Sequence, residues 1–280
     1  MLNCLINKMN IVNSKALSQE QINSLNHYID KVSARQLRDF GSISSELKPD
    51  GTLVTECDKW SDEFIVNSLA NIAKDEGVLS EEGSKIVPSS SAYWIVDPLD
   101  GTTNFTAGIP FWAISIARFV EGRPETAFLD IPILKKRILA IRGKGVWINR
   151  EKIEPLDTTN LKSECVSLCS RSISVLQKKP RQSFPGKIRL LGVSSLNMTS
   201  IAMGQTFGAL ESTPKIWDIA AAWLILDELK CYINWLDTDP SQLNAGDDLS
   251  SASFPLVAAM TEEKLNLLLP WGELLTNLKY

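Results

Sequence analysis

Residues 94 to 105 read WIVDPLDGTTNF, from Trp94 to Phe105. An apolar run stops abruptly at two carboxylates, Asp97 and Asp100, which bracket Pro98 and Leu99. Two carboxylates about 4 Å apart repel by roughly 4 kcal/mol at an effective dielectric near 20. A cation between them removes that cost. Pro98 has no N–H and fixes a chain reversal, which can turn the Leu99 carbonyl toward the same point as the two acids. Two carboxylates and a carbonyl are the hard oxygen ligands that Mg2+, Mn2+ or Ca2+ takes. Gly101 allows close approach to the backbone. If Thr102 and Thr103 open a helix, their free N–H groups form an anion site. A metal beside an anion site points to phosphate. The heptapeptide alone leaves a second reading open, a plain Asp-Pro/Asp-Gly turn with a threonine cap.

The rest of the chain narrows the chemistry. It has 280 residues, enough for one large domain or two packed lobes. Its net charge of −4 disfavours non-specific nucleic-acid binding, which needs cations on phosphates. No run of about 18 apolar residues predicts a membrane span. MLNCLINKMN reads as a frayed tail rather than a signal peptide. The five cysteines are scattered, and the Cys165–Cys169 pair lacks a second Cys/His pair to complete a zinc site. They predict reduced thiols in a cytoplasmic protein. The single histidine, His27, falls off the apolar stripe of its helix and reads as a surface residue. Catalysis therefore falls to carboxylates, hydroxyls, lysines or metal. No Walker-type loop occurs, and the acid spacing does not match a calcium-binding EF-hand loop.

Local patterns predict mixed structure throughout. Ser18 to Gln21 reads as a capping box, followed by Ile22, Leu25, Ile29, Val32 and Leu37 at helical spacing, with Gly41 as the stop. KPDGTLVTECD predicts a turn, a strand and a second helix with Trp60, Phe64, Ile65, Leu69 and Ile72 on one face. Asp58, three residues after Thr55, reads locally as half of a capping box. IPFWAISIARFV, AFLDIPI and RILAIRG predict strands, EGRPE a turn, and GKGVWINREKIEP a hairpin. Asp157 to Arg189 reads as an irregular, partly basic loop. SSLNMTSIAMGQ and WDIAAAWLILDEL predict helices, FPLVAAM a buried strand, and TEEKLNLLL a last helix capped by Thr261.

The ordered set LVTECD, SEEG, WIVDPLDGTTNF, GIPFWAISIA, GKGVWIN, LGVSS and IWDIAAA resembles the inositol monophosphatase family, within the superfamily of metal-dependent, lithium-sensitive carbohydrate phosphatases. The resemblance implies an α+β fold, a five-layered αβαβα sandwich of two αβ lobes. On that pattern residues 1–15 are a tail, 16–155 the N-terminal lobe and 156–280 a C-terminal lobe that supplies Asp218 and substrate contacts. It implies a homodimer and two or three Mg2+ ions, with Mn2+ as a substitute. Glu81, Asp97, the Leu99 carbonyl, Asp100 and Asp218 would hold the metals. Asp58, with Thr102 and Glu81, would serve catalysis at an activated water. Asp100, Gly101, Thr102, Thr103 and Asp218 would surround the phosphate, and Ser194 and Glu211 would meet the rest of the substrate. The implied activity is hydrolysis of a small sugar, inositol or amino-alcohol phosphate by metal-activated water, without a covalent phosphoenzyme.

Two departures qualify the resemblance. The family's Glu-Ala-Gly-Gly after the WDIAAA helix is here Glu228-Leu229-Lys230-Cys231, which puts the turn and the next strand in doubt. Its Gly-Ser-Ala-Ala is here Gly192-Val193-Ser194-Ser195, which adds polarity near the substrate. Thr103-Asn104-Phe105 disfavours an adenosine-bisphosphate phosphatase. Histidinol phosphate and fructose bisphosphate remain alternative substrates, and a non-catalytic metal-binding or interaction protein is the alternative of another class.

Overall fold

The computed structural model describes residues 16–49, 51–157, 163–179 and 181–275. The expected tail and Asp50 of the expected turn lie outside them. Helix α1 (Gln19–Asp39) starts at the expected capping box, with Ser18 Oγ accepting from the Gln21 amide and Gln21 Oε1 from the Ser18 amide. Its buried face carries Ile22, Leu25, Ile29, Val32 and, in the last turn, Gln36. Leu37, expected on that stripe, is exposed. A hairpin of β1 (Ser45–Leu47) and β2 (Leu53–Thr55) leads into α2 (Glu56–Ile72), where Thr55 and Asp58 form a capping box.

The larger sheet follows. It comprises β3 (Gly77–Ser80), β4 (Ala92–Asp100), β5 (Ala113–Val120), β6 (Arg123–Ile131), β7 (Lys136–Ile141), β8 (Gly145–Ile148) and β9 (Glu151–Ile153), with the short helix α3 (Thr102–Thr106) after β4. The strands lie in sequence order, with β3 parallel to β4 and every later pair antiparallel. EGRPE is a turn only in part. Val120 pairs with Arg123, so Glu121 and Gly122, at φ 53° and 75°, make a two-residue turn and Arg123 to Glu125 already belong to β6. Asn149 and Arg150, at φ 48° and 76°, close the expected β8–β9 hairpin in the same way.

Residues 163–189, expected to be an irregular loop, contain β10 (Cys165–Leu168), the short α4 (Ser174–Lys178) and β11 (Lys187–Arg189). Then come α5 (Ser194–Ala202), β12 (Gly208–Glu211), α6 (Ile216–Glu228), β13 (Tyr232–Trp235), β14 (Leu256–Ala259) and α7 (Glu262–Gly272). The second sheet has the order β11-β10-β12-β14-β13 and is mixed. Strands β10, β12 and β13 carried no sequence signal of their own. Each is four residues long and takes its partners from distant segments.

These elements stack in five layers, as expected. Helices α1 and α2 bury Leu25, Ile29, Ile65 and Leu69 against Trp94, Val96, Ile116 and Phe128 of the first sheet. Helices α5 and α6 fill the space between the two sheets. Helix α7 covers the far face of the second sheet, with α4 beside it through Lys178 Nζ on the Leu274 carbonyl. Helix α6 is buried on nearly all sides, which explains its apolar composition. Its C-terminal Glu228 reaches back to the first sheet, accepting from the Gly143 amide at 2.7 Å and the Gly145 amide at 2.8 Å.

The doubtful turn after α6 is intact. The Cys231 amide donates to the Leu226 carbonyl and the Lys230 amide to the Asp227 carbonyl, a Schellman arrangement. Lys230 occupies its left-handed position at φ 62°. A side chain there costs about 1 kcal/mol relative to glycine. Lys230→Gly is therefore expected to raise the urea midpoint by an amount worth roughly 0.5–1 kcal/mol. An unchanged or lower midpoint would show that Lys230 is unstrained.

Candidate active site

Strand β4 does not reverse at Pro98, as the sequence suggested, but continues through Asp100 with a register shift between Asp97 and Asp100. That bulge lets two acids three residues apart leave the strand together. Asp97 Oδ1 accepts from the Leu99 amide at 2.9 Å, closing the bulge on itself. The reversal comes at Gly101, at φ 104°, where α3 begins. A Cβ at Gly101 would lie 2.8 Å from Val193 Cγ2 and 3.1 Å from the Phe111 carbonyl, so glycine is required by both conformation and space.

The other candidates are brought to this bulge by specific bonds. Glu81, just after β3, donates its amide to the Val96 carbonyl. Thr102 Oγ1 donates to Asp58 Oδ1 at 2.8 Å and lies 3.2 Å from the Leu99 carbonyl. Asp58 thus serves as capping residue and as Thr102 acceptor at once. The Ser195 amide donates to Asp100 Oδ2 at 2.8 Å, joining α5 to β4. Asn104 Nδ2 reaches the Leu191 carbonyl at 2.8 Å, fixing the segment ahead of α5. Ser115, opposite Asp97 in the sheet, donates to the Trp217 carbonyl at 3.1 Å and so pins the start of α6, where Asp218 sits. Asp218 Oδ2 accepts from the Lys215 amide at 2.8 Å. Glu211, at the end of β12, accepts from Ser194 Oγ at 2.8 Å and Asn197 Nδ2 at 2.7 Å. Thr103 is exposed in the first turn of α3, while Thr102 is buried.

Charge dominates this region. Burial, then the neighbouring Glu81, Asp100 and Asp218, pushes the Asp97 carboxyl well above the usual carboxylate range. Burial, Asp100 and Glu81 do the same to Asp218. Burial raises Asp100 to about 6, against hydrogen bonds from Ser195 and Ser194. It raises Glu211 to about 7, against those from Ser194 and Asn197. Asp58 is also raised by burial, with Thr55 and Thr102 opposing. Glu81 is raised by burial although Lys48 attracts its charge.

Lys48 was not singled out in the sequence. Its Nζ lies 2.8 Å from Glu81 Oε1 and also bonds Glu82. Burial alone would lower its pKa, but the two glutamates raise it, so it stays charged. Its only sequence signal was a lysine in a Pro-Asp-Gly turn.

The donor set fits a hard divalent cation. It is all oxygen, with no histidine or thiol, and its acids repel one another. Among the described residues, no three of them yet converge as ligands of a single ion. Four mutually repelling carboxylates instead keep separate hydrogen-bond partners.

The inositol monophosphatase family pattern matches residues 18–260. A Nus factor SuhB from Pasteurella multocida is 29% identical over 75% of this chain and 82% of its own. A histidinol-phosphatase from Mycobacterium tuberculosis is 30% identical over 71% of this chain and 80% of its own. Among solved structures, an IMPase/NADP phosphatase complexed with Mg2+ and phosphate superposes with a TM-score of 0.71 at 27% identity, covering 89% of this chain and 94% of the other. With its sequence motifs in order and its five layers matching, the chain belongs to the inositol monophosphatase family.

Proposed function

We propose that this chain is a Mg2+-dependent phosphomonoesterase acting on a small sugar, inositol or amino-alcohol phosphate. The observation that carries the proposal is that the buried Asp97, Asp100 and Asp218 lie near enough to one another and to Glu81 for burial and mutual repulsion to disfavour their charges, beside the first turn of α3. The relative with Mg2+ and phosphate bound supports the same chemistry. Glu81, Asp97, the Leu99 carbonyl, Asp100 and Asp218 would hold the metal, with Mn2+ as an alternative. When bound, the ions supply a lowered pKa for water and offset charge in the transition state.

The chain's own groups do the rest. The amides of Gly101 and Thr102, at the start of α3, would bind phosphate oxygens as the free N–H groups of a helix start do. Thr102 donates its hydroxyl proton to Asp58, so its lone pairs are free to accept from a water and orient it. Asp58, its pKa raised, is suited to hold the proton that the water gives up.

The leaving group faces Ser194 and Glu211. Both Glu211 oxygens are occupied, by Ser194 Oγ and Asn197 Nδ2. Ser194 donates inward and so presents lone pairs outward, to a hydroxyl or amine of the substrate. The test is phosphate release from inositol, histidinol, fructose and nucleotide phosphates, with Mg2+ and with chelator. Release from none of them, with Mg2+ still bound, would favour the non-catalytic alternative. Ser194→Ala frees Glu211 Oε2 for a substrate hydroxyl. It is expected to raise kcat/KM for inositol 1-phosphate relative to p-nitrophenyl phosphate by about tenfold or more, the worth of one hydrogen bond to a charged group. An unchanged ratio would remove Ser194 from substrate selection.

A further inference from the structure

We infer that Gln36 of α1, outside every motif of the site, is a positioning residue that holds the β4 bulge in its cation-binding shape. The inference rests on the proposed role of Asp97, Leu99 and Asp100 in holding a divalent cation. The bulge is the weak point of β4. The ladder to β5 breaks between Asp97 and Asp100, so Pro98 and Leu99 have no direct partners on that strand. Their backbone groups must be satisfied from elsewhere.

Gln36 does this. Its side chain is fully buried. Nε2 donates to the Pro98 carbonyl at 2.7 Å, and Oε1 accepts from Trp112 Nε1 at 3.0 Å. Both ends of the amide are therefore committed, and the carboxamide cannot rotate without breaking a buried bond. Trp112 is itself clamped, stacked on Phe40 at 4.4 Å and edge-on to Phe105 at 5.2 Å. Phe105 belongs to α3, so the same cluster also supports the helix beside the bulge. The Pro98 carbonyl is one peptide unit from the Leu99 carbonyl. Fixing the first peptide plane restricts the orientation of the second and the spacing of the two aspartates.

A partner one shell out from metal ligands typically changes metal affinity by 10–100-fold when removed. The test is calorimetric titration of Mg2+ into wild type and Gln36→Leu, without substrate. The variant is expected to bind Mg2+ at least about tenfold more weakly. Ser33→Ala is the control. Ser33 lies one turn earlier on α1, also buried, and bonds Asp130 Oδ2 at 2.5 Å, away from the bulge. It is expected to lower Tm while leaving Mg2+ affinity unchanged. If Gln36→Leu does not fold, Gln36→Glu replaces it, keeping an acceptor for Trp112 but not, when ionised, the donor to Pro98. Affinity equal to wild type in the Gln36 variant, or an equal loss in Ser33→Ala, would overturn the inference alone. A wild-type protein that binds no Mg2+ would overturn both it and the proposed function.

Discussion

Asp97→Asn is expected to lose Mg2+-dependent phosphate release by about 10^3-fold or more, while the metal-free protein becomes more stable. The first effect follows from the proposed role of Asp97 in holding a cation that would stabilise the transition state, where loss of one preorganised group already costs about 10^2 to 10^3. The second follows from burial. Asp97 is 1% exposed and repelled by Glu81, Asp100 and Asp218. Asparagine has the same shape and keeps the oxygen that accepts from the Leu99 amide. It removes one of four mutually repelling charges without opening a cavity. Phosphate release and thermal unfolding in chelator at pH 8 check the pair. A variant that loses activity and also loses metal-free stability would assign Asp97 a structural role instead.

The second large effect is a pH-dependent response to Mg2+. Carboxyl groups titrate near 3.9 for Asp and 4.3 for Glu in an unfolded chain. In the folded protein Asp100 rises to about 6, and Asp97 and Asp218 are also held well above the usual carboxylate range. The folded state then binds protons more tightly than the unfolded state. The resulting stabilisation is fully present below the unfolded values and is lost as pH rises through the folded ones. For Asp100 alone the loss is on the order of 3 kcal/mol. Metal-free protein is therefore expected to have a higher Tm at pH 5 than at pH 8. A bound cation favours the ionised acids, so Mg2+ should raise Tm far more at pH 8 than at pH 5. Equal shifts at both pH values, or a metal-free protein more stable at pH 8, would contradict this account of the site.

Much of this arrangement is legible in the sequence because its chemistry is local. Ser18 and Gln21, or Thr55 and Asp58, lie within one turn and announce their helices. Asp97 and Asp100 are legible as a pair because three residues separate them. Asp58 shows where local reading stops. The same carboxylate caps α2 and receives Thr102 from 44 residues away, and only the cap is visible locally. Strands β10, β12 and β13 escape for a related reason, since four residues such as CVSL have too little pattern to outweigh a loop and are fixed by pairing. Gln36 and Lys48 are single polar residues whose partners lie 62 and 33 residues away.

Helix α6 has a consequence for motion. It carries Asp218 at one end, where Ser115 of the first sheet holds the Trp217 carbonyl, and at the other end Glu228 grips the β7–β8 turn of that same sheet. Its flank meanwhile packs against β13 of the second sheet. A rod fastened at both ends to one plate, and glued along its side to the other, leaves no hinge between them. The two sheets move as one body, and the mouth of the site cannot open by swinging them apart. On the proposed function, entry of substrate and escape of phosphate would then proceed without domain motion.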